Sequence, residues 1–315
     1  MTRFLKVFLR DRLDRPVQLA GFGKHPAWDD HIDDFGLTTE TLVIAKRILY
    51  SEGIAGQLAS GAWNRLEETG RAVEFDHRFI WRREAQSVIG GIWASTDGKG
   101  RAHFPMIVCM QIAVNGWRAI HRFLAVLEDL GTLCQITKDR QKFRDAFVET
   151  QLKLSSDAFS NLDSETKPHQ LSEQREEAIL NGMIALSQGV KKNRRLGARA
   201  GVRSAHFRLP AISPQPRENL EFWAGYSQTQ LDLGLPCLTI ASVGPGPVDL
   251  IAGEPEPNDF FCLRAAEAQI PMSRMSTLDK HLADVRLAAK VYLRTFGLGS
   301  IHSSNERIRR WWPFK

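Results

Sequence analysis

Apolar residues in the first half of the chain form short runs or alternate with polar ones, as in β-strands. Residues 17–22 are a brief apolar run, and residues 73–81 alternate partly between apolar and polar. Residues 87–95 and 104–114 are predicted as two further strands, and the second is apolar almost throughout, which indicates that both its faces are covered. Residues 97–100 contain two glycines and predict a hairpin turn, so we expect these two strands to pair antiparallel.

Apolar residues at helical spacing separate and follow these strands. They predict helices that start near residue 38 and that span 117–130, 141–154 and 172–188, and the last predicted element is an amphipathic helix over 278–296. Four more apolar segments of the second half are predicted as strands: 206–212, 220–226, 236–243 and 260–266.

Because strands cluster and helices cluster, the pattern predicts an α+β fold and not a doubly wound parallel one. We expect two sheet-and-helix blocks with antiparallel or mixed sheets flanked by helices. The predicted organisation is a basic N-terminal arm (1–16), a first block (17–155), a linker or loop (156–171), a second block that includes the C-terminal amphipathic helix (172–296) and a basic aromatic tail (297–315).

The composition is that of a soluble globular protein, with 43% hydrophobic and 25% charged residues among 315. The four cysteines form no CxxC pair, so we expect buried, reduced thiols and a cytoplasmic location. No apolar stretch has the roughly 18 residues that would predict a transmembrane segment.

The net charge of +6 comes from the two ends of the chain. Residues 1–16 carry +3, residues 297–315 carry +3, and the body between them is neutral overall. A high isoelectric point with this distribution argues against a general nucleic-acid-binding protein, and no nucleic-acid partner is expected.

Two basic segments are candidate contact surfaces. The first is a basic patch within residues 191–208, and it contains Arg194, Arg195, Arg199 and Arg203. It is interpreted as a solvated surface, as a docking face for an acidic or phosphorylated partner, or as a nucleic-acid contact. The second is the tail with Arg309, Arg310, Trp311 and Trp312, for which the alternatives are docking on a protein, folding back onto the body and weak peripheral contact with a membrane.

A loop rich in His and Asp follows the first predicted strand, over residues 25–34. Its imidazole and carboxylate groups are suitable ligands for a divalent metal, with His25, Asp29 and His31 as the candidates. A metal-dependent hydrolase is therefore the alternative function. The other interpretations are a polar loop held by Asp-to-backbone hydrogen bonds and an interaction surface. No other catalytic signature and no cofactor motif is found, so the chain is predicted not to be an enzyme.

Three short motifs in a fixed order resemble the TagF (ImpM) family of type VI secretion-associated proteins. The first is Gly23-Lys24-x-Pro26-x-x-Asp29, and the second is a Gly-Arg turn before Phe104-Pro105 that includes Asp97 and Arg101. The third is Trp223-Ala224-Gly225 followed by Gly234-Leu235-Pro236. The first loop reads Trp28-Asp29-Asp30-His31 where the family often has Arg-Gly-Asp-Phe. The resemblance covers residues 18–265.

The resemblance implies a non-enzymatic cytoplasmic regulator or adaptor of a bacterial type VI secretion system. Such proteins act by protein–protein binding, as post-translational repressors or in assembly control, with a forkhead-associated scaffold protein as one partner. Three polar residues of the motifs, Lys24, Asp29 and Arg101, are the candidate site. We expect Lys24 or Arg101 to pair with Asp29 across the two loops, either as a structural contact or as part of a partner-binding patch.

Overall fold

A computed structural model describes most of the chain. The described residues are 17–69, 72–113, 116–157, 171–200, 203–230, 236–266, 268–276 and 282–298. Side chains are not described at 116–119, 155–157, 193–200 and 229–230. The predicted N-terminal arm, most of the predicted linker and the tail beyond Leu298, including Arg309, Arg310, Trp311 and Trp312, lie outside the described residues.

Seven strands form one antiparallel sheet through the middle of the described chain. In chain order they are β1 (Gln18–Gly23), β2 (Asp76–Arg83), β3 (Gln86–Trp93), β4 (Met106–Ile112), β5 (Ser204–Leu209), β6 (Cys237–Ser242) and β7 (Val248–Gly253). Their spatial order is β1-β4-β3-β2-β6-β7-β5, and each neighbouring pair is antiparallel. The fold is α+β, which confirms the predicted class.

The pairing of β2 with β6 joins the strands of the two predicted blocks. Phe79 of β2 lies opposite Ile240, and Trp81 lies opposite Leu238. All four side chains are buried on the same side of the sheet. Both blocks of sequence therefore contribute to one continuous sheet with a shared core.

Helices cover both faces of this sheet. They are α1 (Glu40–Lys46), α2 (Ala55–Ala59), α3 (Ala62–Glu68), α4 (Gly116–Ile136), α5 (Arg140–Asp157), α6 (Glu173–Ala200), α7 (Pro216–Gln230) and α8 (Leu282–Thr295). A π-helical segment (Arg47–Ile54) connects α1 to α2, and a 3-10 segment (Pro257–Leu263) follows β7. The shorter helices α1–α3 and the 3-10 segment lie on one face, and α4–α8 lie on the other. No helix in the described ranges has the length and apolar composition to cross a membrane.

Strand β4 shows how the sequence pattern produces the two covered faces. Val108 and Met110 pack with the core under α4, whereas Ile107 and Cys109 pack with the core under α1. Successive side chains of a strand point to opposite faces, so a strand between two helical layers is apolar at nearly every position. The prediction that both faces of this strand are covered is confirmed. All four cysteines are buried and unpaired, as expected.

Two predicted strands are helical, and one strand was not predicted. Residues 220–226 belong to α7, where nearly every side chain is buried because the helix lies between the sheet and other helices. A helix that is apolar on most of its surface looks like a buried strand in the sequence. Residues 260–266 lie mostly in the 3-10 segment, which starts at Pro257. Strand β7 was missed because Asp249 interrupts its short apolar run.

Candidate functional site

The site is built around the loop that leaves β1. Gly23 ends the strand with a φ of 107°, and a Cβ there would lie 2.3 Å from the carbonyl oxygen of Pro105. The backbone N–H of Lys24 donates to that same carbonyl at 3.1 Å. Glycine is therefore required for the loop to pass this close to the start of β4.

Asp97 organises the turn between β3 and β4. Its Oδ1 accepts the backbone N–H groups of Lys99 and Arg101, each at 3.0 Å, and Gly100 has a φ of 79°. This is the Asx type of turn. It lies within the longer connection between Trp93 and Met106, and the predicted antiparallel pairing of the two strands is confirmed. The second carboxylate oxygen, Oδ2, stays available for cations.

Four charged side chains from the two loops form one ion cluster: Lys24, Asp30, Asp97 and Arg101. Lys24 Nζ donates to Asp97 Oδ2 at 2.8 Å and to Asp30 Oδ1 at 2.5 Å. Arg101 Nε donates to Asp97 Oδ2 at 2.6 Å, and its Nη2 lies 3.3 Å from Asp30 Oδ1. The cluster has two positive and two negative charges, so its members neutralise one another.

The ion cluster runs from the interior to the surface. The side chains of Lys24 and Asp97 are 5% and 0% exposed, whereas those of Arg101 and Asp30 are 52% and 67% exposed. Burial alone would raise the pKa of Asp97, but hydrogen bonds from Lys24 and Arg101 hold that pKa well below its usual range. The hydrogen bond from Lys24 likewise lowers the pKa of Asp30. Both carboxylates therefore carry fixed negative charge at neutral pH.

The predicted pairing of Asp29 with a basic residue is corrected. Arg101 Nη2 does reach Asp29, but it donates to the backbone oxygen at 2.8 Å. The carboxylate that joins the ion cluster belongs to the next residue, Asp30. The sequence predicted Lys24 and Arg101 as members of the site. It indicated Asp29 in place of Asp30, and it indicated Asp97 only as a residue of the turn.

The three candidate metal ligands do not converge. His25 is fully buried, its Nε2 lies 2.7 Å from the carbonyl oxygen of Cys134, and its Nδ1 accepts the N–H of Ala27 at 3.1 Å. Burial lowers its pKa, with a smaller opposing effect of the bond to Cys134. Both ring nitrogens thus bind protein groups, and the neutral ring packs edge-on against Trp28 and Phe143. His25 holds the loop in place and is not free to bind a metal.

His31 lies beside the ion cluster and packs on aromatic rings. Its Nδ1 is 3.0 Å from Asp30 Oδ1, and its ring contacts those of Tyr50 and Phe104. The Tyr50 hydroxyl is buried without a hydrogen-bond partner in the described chain, and burial raises its pKa. His31 therefore connects the exposed side of the ion cluster to the core under α1.

A second polar group, which the sequence did not reveal, lies in the core between β5 and β7. The guanidinium of Arg208 binds Asp249 through two bonds, Nε to Oδ1 at 2.8 Å and Nη2 to Oδ2 at 2.9 Å. His206 Nε2 lies 2.8 Å from Asp249 Oδ1. Burial would raise the pKa of Asp249, but its bonds to His206 and Arg208 lower it.

Among the described residues, His206, Asp249 and Cys262 are also the one group spaced closely enough to hold a metal ion. The Arg208 guanidinium already supplies the positive charge there, and its Nη2 also donates to the Cys262 carbonyl at 3.3 Å. Burial keeps the pKa of the Cys262 thiol well above its usual value, so that thiol is protonated. The group is a structural ion pair that fastens β5 to β7.

Only some of the basic residues of the patch are shown to be exposed at the surface. Its backbone continues α6 to Ala200, and Lys191, Lys192 and Arg203 are exposed. The side chains of Arg194, Arg195 and Arg199 lie outside the described residues. Arg208, at the end of the basic stretch, is buried in the pair with Asp249. One of the seven charges of residues 191–208 therefore belongs to the core.

Comparison with protein-family models found no match to this chain. Comparison with curated proteins found no significant match either.

Proposed function

We propose that the chain is a non-enzymatic regulator or adaptor of a bacterial type VI secretion system, which acts in the cytoplasm by protein–protein binding. One observation carries the proposal. Lys24 of the first motif meets Asp97 and Arg101 of the second motif in the ion cluster, although Lys24 and Asp97 are 73 positions apart. A group of charges that is buried at one end and exposed at the other serves either the loop architecture or a partner.

The exposed half of the ion cluster favours a binding role. Arg101 and Asp30 lie at the surface above the buried pair of Lys24 and Asp97. The buried pair fixes the position of the outer charges before any partner arrives, which reduces the entropy lost on binding. Fixed charges of both signs give orientation and selectivity to a protein interface.

The chemistry of the ion cluster is less suited to catalysis. A general acid or base needs a pKa near the working pH, whereas the pKa values of Asp30 and Asp97 are shifted downward, away from it. The resemblance supplies the class of partner, secretion-system proteins that include a forkhead-associated scaffold. The same resemblance supports repression or assembly control as the outcome of binding.

The direct test is a pull-down of the tagged full chain from a bacterium that carries a type VI system. We expect secretion-system components, and the forkhead-associated scaffold in particular, to be recovered. R101E reverses one exposed charge of the ion cluster and should reduce that recovery at least tenfold. R286E is the matched control, because Arg286 is also a partly exposed arginine in an ion pair, with Glu177, but it joins α8 to α6 and contacts no member of the ion cluster.

Two results would count against the proposal. Recovery of no secretion-system component, together with unchanged effector release in a deletion strain, would reject the function. Equal recovery with R101E and the wild type would remove the ion cluster as the binding surface.

A further inference from the structure

Helix α5 covers the outer edge of the sheet at β1, where the described part of the chain begins. The side-chain amide of Gln151 takes the place of a partner strand there, because its Oε1 accepts the N–H of Leu19 at 2.9 Å and its Nε2 donates to the carbonyl oxygen of Val17. Strand β1 is at the edge of the sheet, so these bonds satisfy backbone groups that face away from β4. The chain before Val17, residues 1–16, therefore joins the fold directly beside Gln151.

The surface of α5 next to Gln151 is apolar and exposed. Val148 and Leu152 lie four positions apart, and so on one face of the helix, and they are 54% and 67% exposed. Gln151 is three positions after Val148 and one before Leu152, so this apolar face begins where the chain enters β1. Two large apolar side chains in adjacent places on one helix face favour a surface that another segment covers.

Two carboxylates border this apolar face. Asp145 and Glu149 precede Val148 and Leu152 by three positions each, and both are exposed. In the part of the chain that the structure describes, neither carboxylate pairs with a cation, and Asp145 accepts the side-chain amide of Gln141 at 2.8 Å. The face therefore offers apolar contact along one side and negative charge along the other.

Residues 1–16 have the complementary sequence pattern. Five basic residues against two aspartates give this segment a charge of +3. Its apolar residues include four at the spacing of a single helix face, which are Leu5, Phe8, Leu9 and Leu13. Apolar residues and cations in one short segment match a face that combines apolar side chains with carboxylates.

We propose that residues 1–16 dock, within the same molecule, on the face of α5 formed by Val148 and Leu152, with basic side chains towards Asp145 and Glu149. Because Val17 is already held at Gln151, docking closes only a short loop, and the entropy lost on closure is small. The basic tail is a less suitable occupant, since it follows α8, which packs against α6 and not beside β1.

Trypsin cleavage of the full chain tests this contact. Residues 1–16 contain four cleavage sites, and docked sites are cut only when the segment leaves α5, so the rate follows the population of the open form. V148E/L152E places charge on the apolar face and should raise the cleavage rate within residues 1–16 roughly tenfold or more, as followed by mass spectrometry. L287E is the matched control, because Leu287 is 64% exposed on α8, and it should keep the wild-type rate. Equal rates in the wild type and V148E/L152E would overturn the proposal.

Disulfide trapping provides a second measurement that keeps most of the apolar face. The four native thiols are buried, and burial raises the pKa of each, so they stay unreactive. L9C/L152C should form a bond within one molecule, whereas L9C/L287C should not, as measured by gel mobility and peptide mapping. Bonds mainly between two molecules would show that a second copy supplies the segment. Equal yields in the two variants would show that residues 1–16 have no preferred contact, and either result would overturn the proposal.

Discussion

The amino group of Lys24 and the carboxylate of Asp97 meet at 2.8 Å, although 73 positions separate the two residues in the chain. Both side chains are almost completely buried, so this pair replaces hydration that each group lost on folding. Asp97 Oδ1 holds its own turn while Oδ2 holds Lys24 and Arg101. A single carboxylate therefore fixes both the shape of the β3–β4 turn and its attachment to the loop after β1.

Loss of this carboxylate should change how the protein responds to acid. The pKa of Asp97 is lowered in the folded state, so the unfolded chain takes up a proton near the usual value of 3.8 while the folded chain does not. The stability that the Asp97 charge provides is complete above that pH and is lost as the pH falls below it. We expect D97N to be less stable at pH 6 and to lose less stability than the wild type between pH 4 and pH 2.5.

Urea unfolding at several pH values measures this difference. The matched control is E149Q, which neutralises an exposed carboxylate on α5 and should keep the acid response of the wild type. If D97N and the wild type showed parallel losses below pH 4, the ion cluster would not be the source of the acid sensitivity.

Replacement of Gly23 should reveal the cost of the close contact between the two loops. In G23A the new Cβ would meet the Pro105 carbonyl at 2.3 Å, and the backbone would keep a φ of 107°. We expect a loss of about 3 kcal/mol in the free energy of unfolding. G61A is the control, because Gly61 also has a positive φ, 67°, but nothing lies within 4 Å of its added Cβ. That variant should lose only about 1–2 kcal/mol, and equal losses would show that the contact with Pro105 has no cost.

The sequence predicted helices that keep one exposed side, and it failed for a helix that is buried on most sides. Helix α4 exposes one side, so the helical spacing of Phe123, Leu127 and Leu130 was enough to predict it. Helix α7 is covered on most sides, so the apolar residues around Trp223 show no helical spacing and were predicted as a strand. Hydrophobic periodicity in a sequence arises when one face of an element is exposed to solvent, and it disappears when the element is buried on all sides.

In the candidate site, too, the sequence alone could not decide which of two neighbouring aspartates joins the ion cluster. Lys24 and Arg101 stand in recognisable motifs, and both belong to the ion cluster. The choice between Asp29 and Asp30 depends on the path of an irregular loop, which no period in the sequence specifies. The buried pair of Arg208 and Asp249 was missed for a related reason, since strand pairing alone brings those two residues together.

Removal of Arg208 should be more damaging than removal of the whole pair. R208M leaves the Asp249 carboxylate buried without its bidentate partner, and we expect a cost of about 3–5 kcal/mol in the free energy of unfolding. R208M/D249L removes both charges and should recover about 1–3 kcal/mol of that loss. The recovery is incomplete because Arg208 also donates to the carbonyls of Ala265 and Ala266. Additive costs of R208M and D249L in a urea-unfolding cycle would contradict this coupling.

His77 should make the protein less stable in weak acid, in a pH range above that of Asp97. It is buried on β2, and burial lowers its pKa from 6.5 to about 4, an effect that the charges of Asp249 and Asp76 only partly oppose. Between these values the unfolded chain binds a proton that the folded chain does not. The free energy of unfolding is therefore unaffected by His77 above pH 6.5, and it decreases as the pH is lowered from 6.5 to about 4.

The shift corresponds to a loss of about 3 kcal/mol over this range. H77L removes this titrating group and should reduce the slope of the stability profile between pH 7 and pH 4, whatever its stability at neutral pH. H103Q, at an exposed histidine in the segment before β4, is the control and should keep the slope of the wild type. An unchanged slope in H77L, measured by urea unfolding at pH 7, 5.5 and 4, would place the acid sensitivity elsewhere, with the fully buried His25 as the next residue to test.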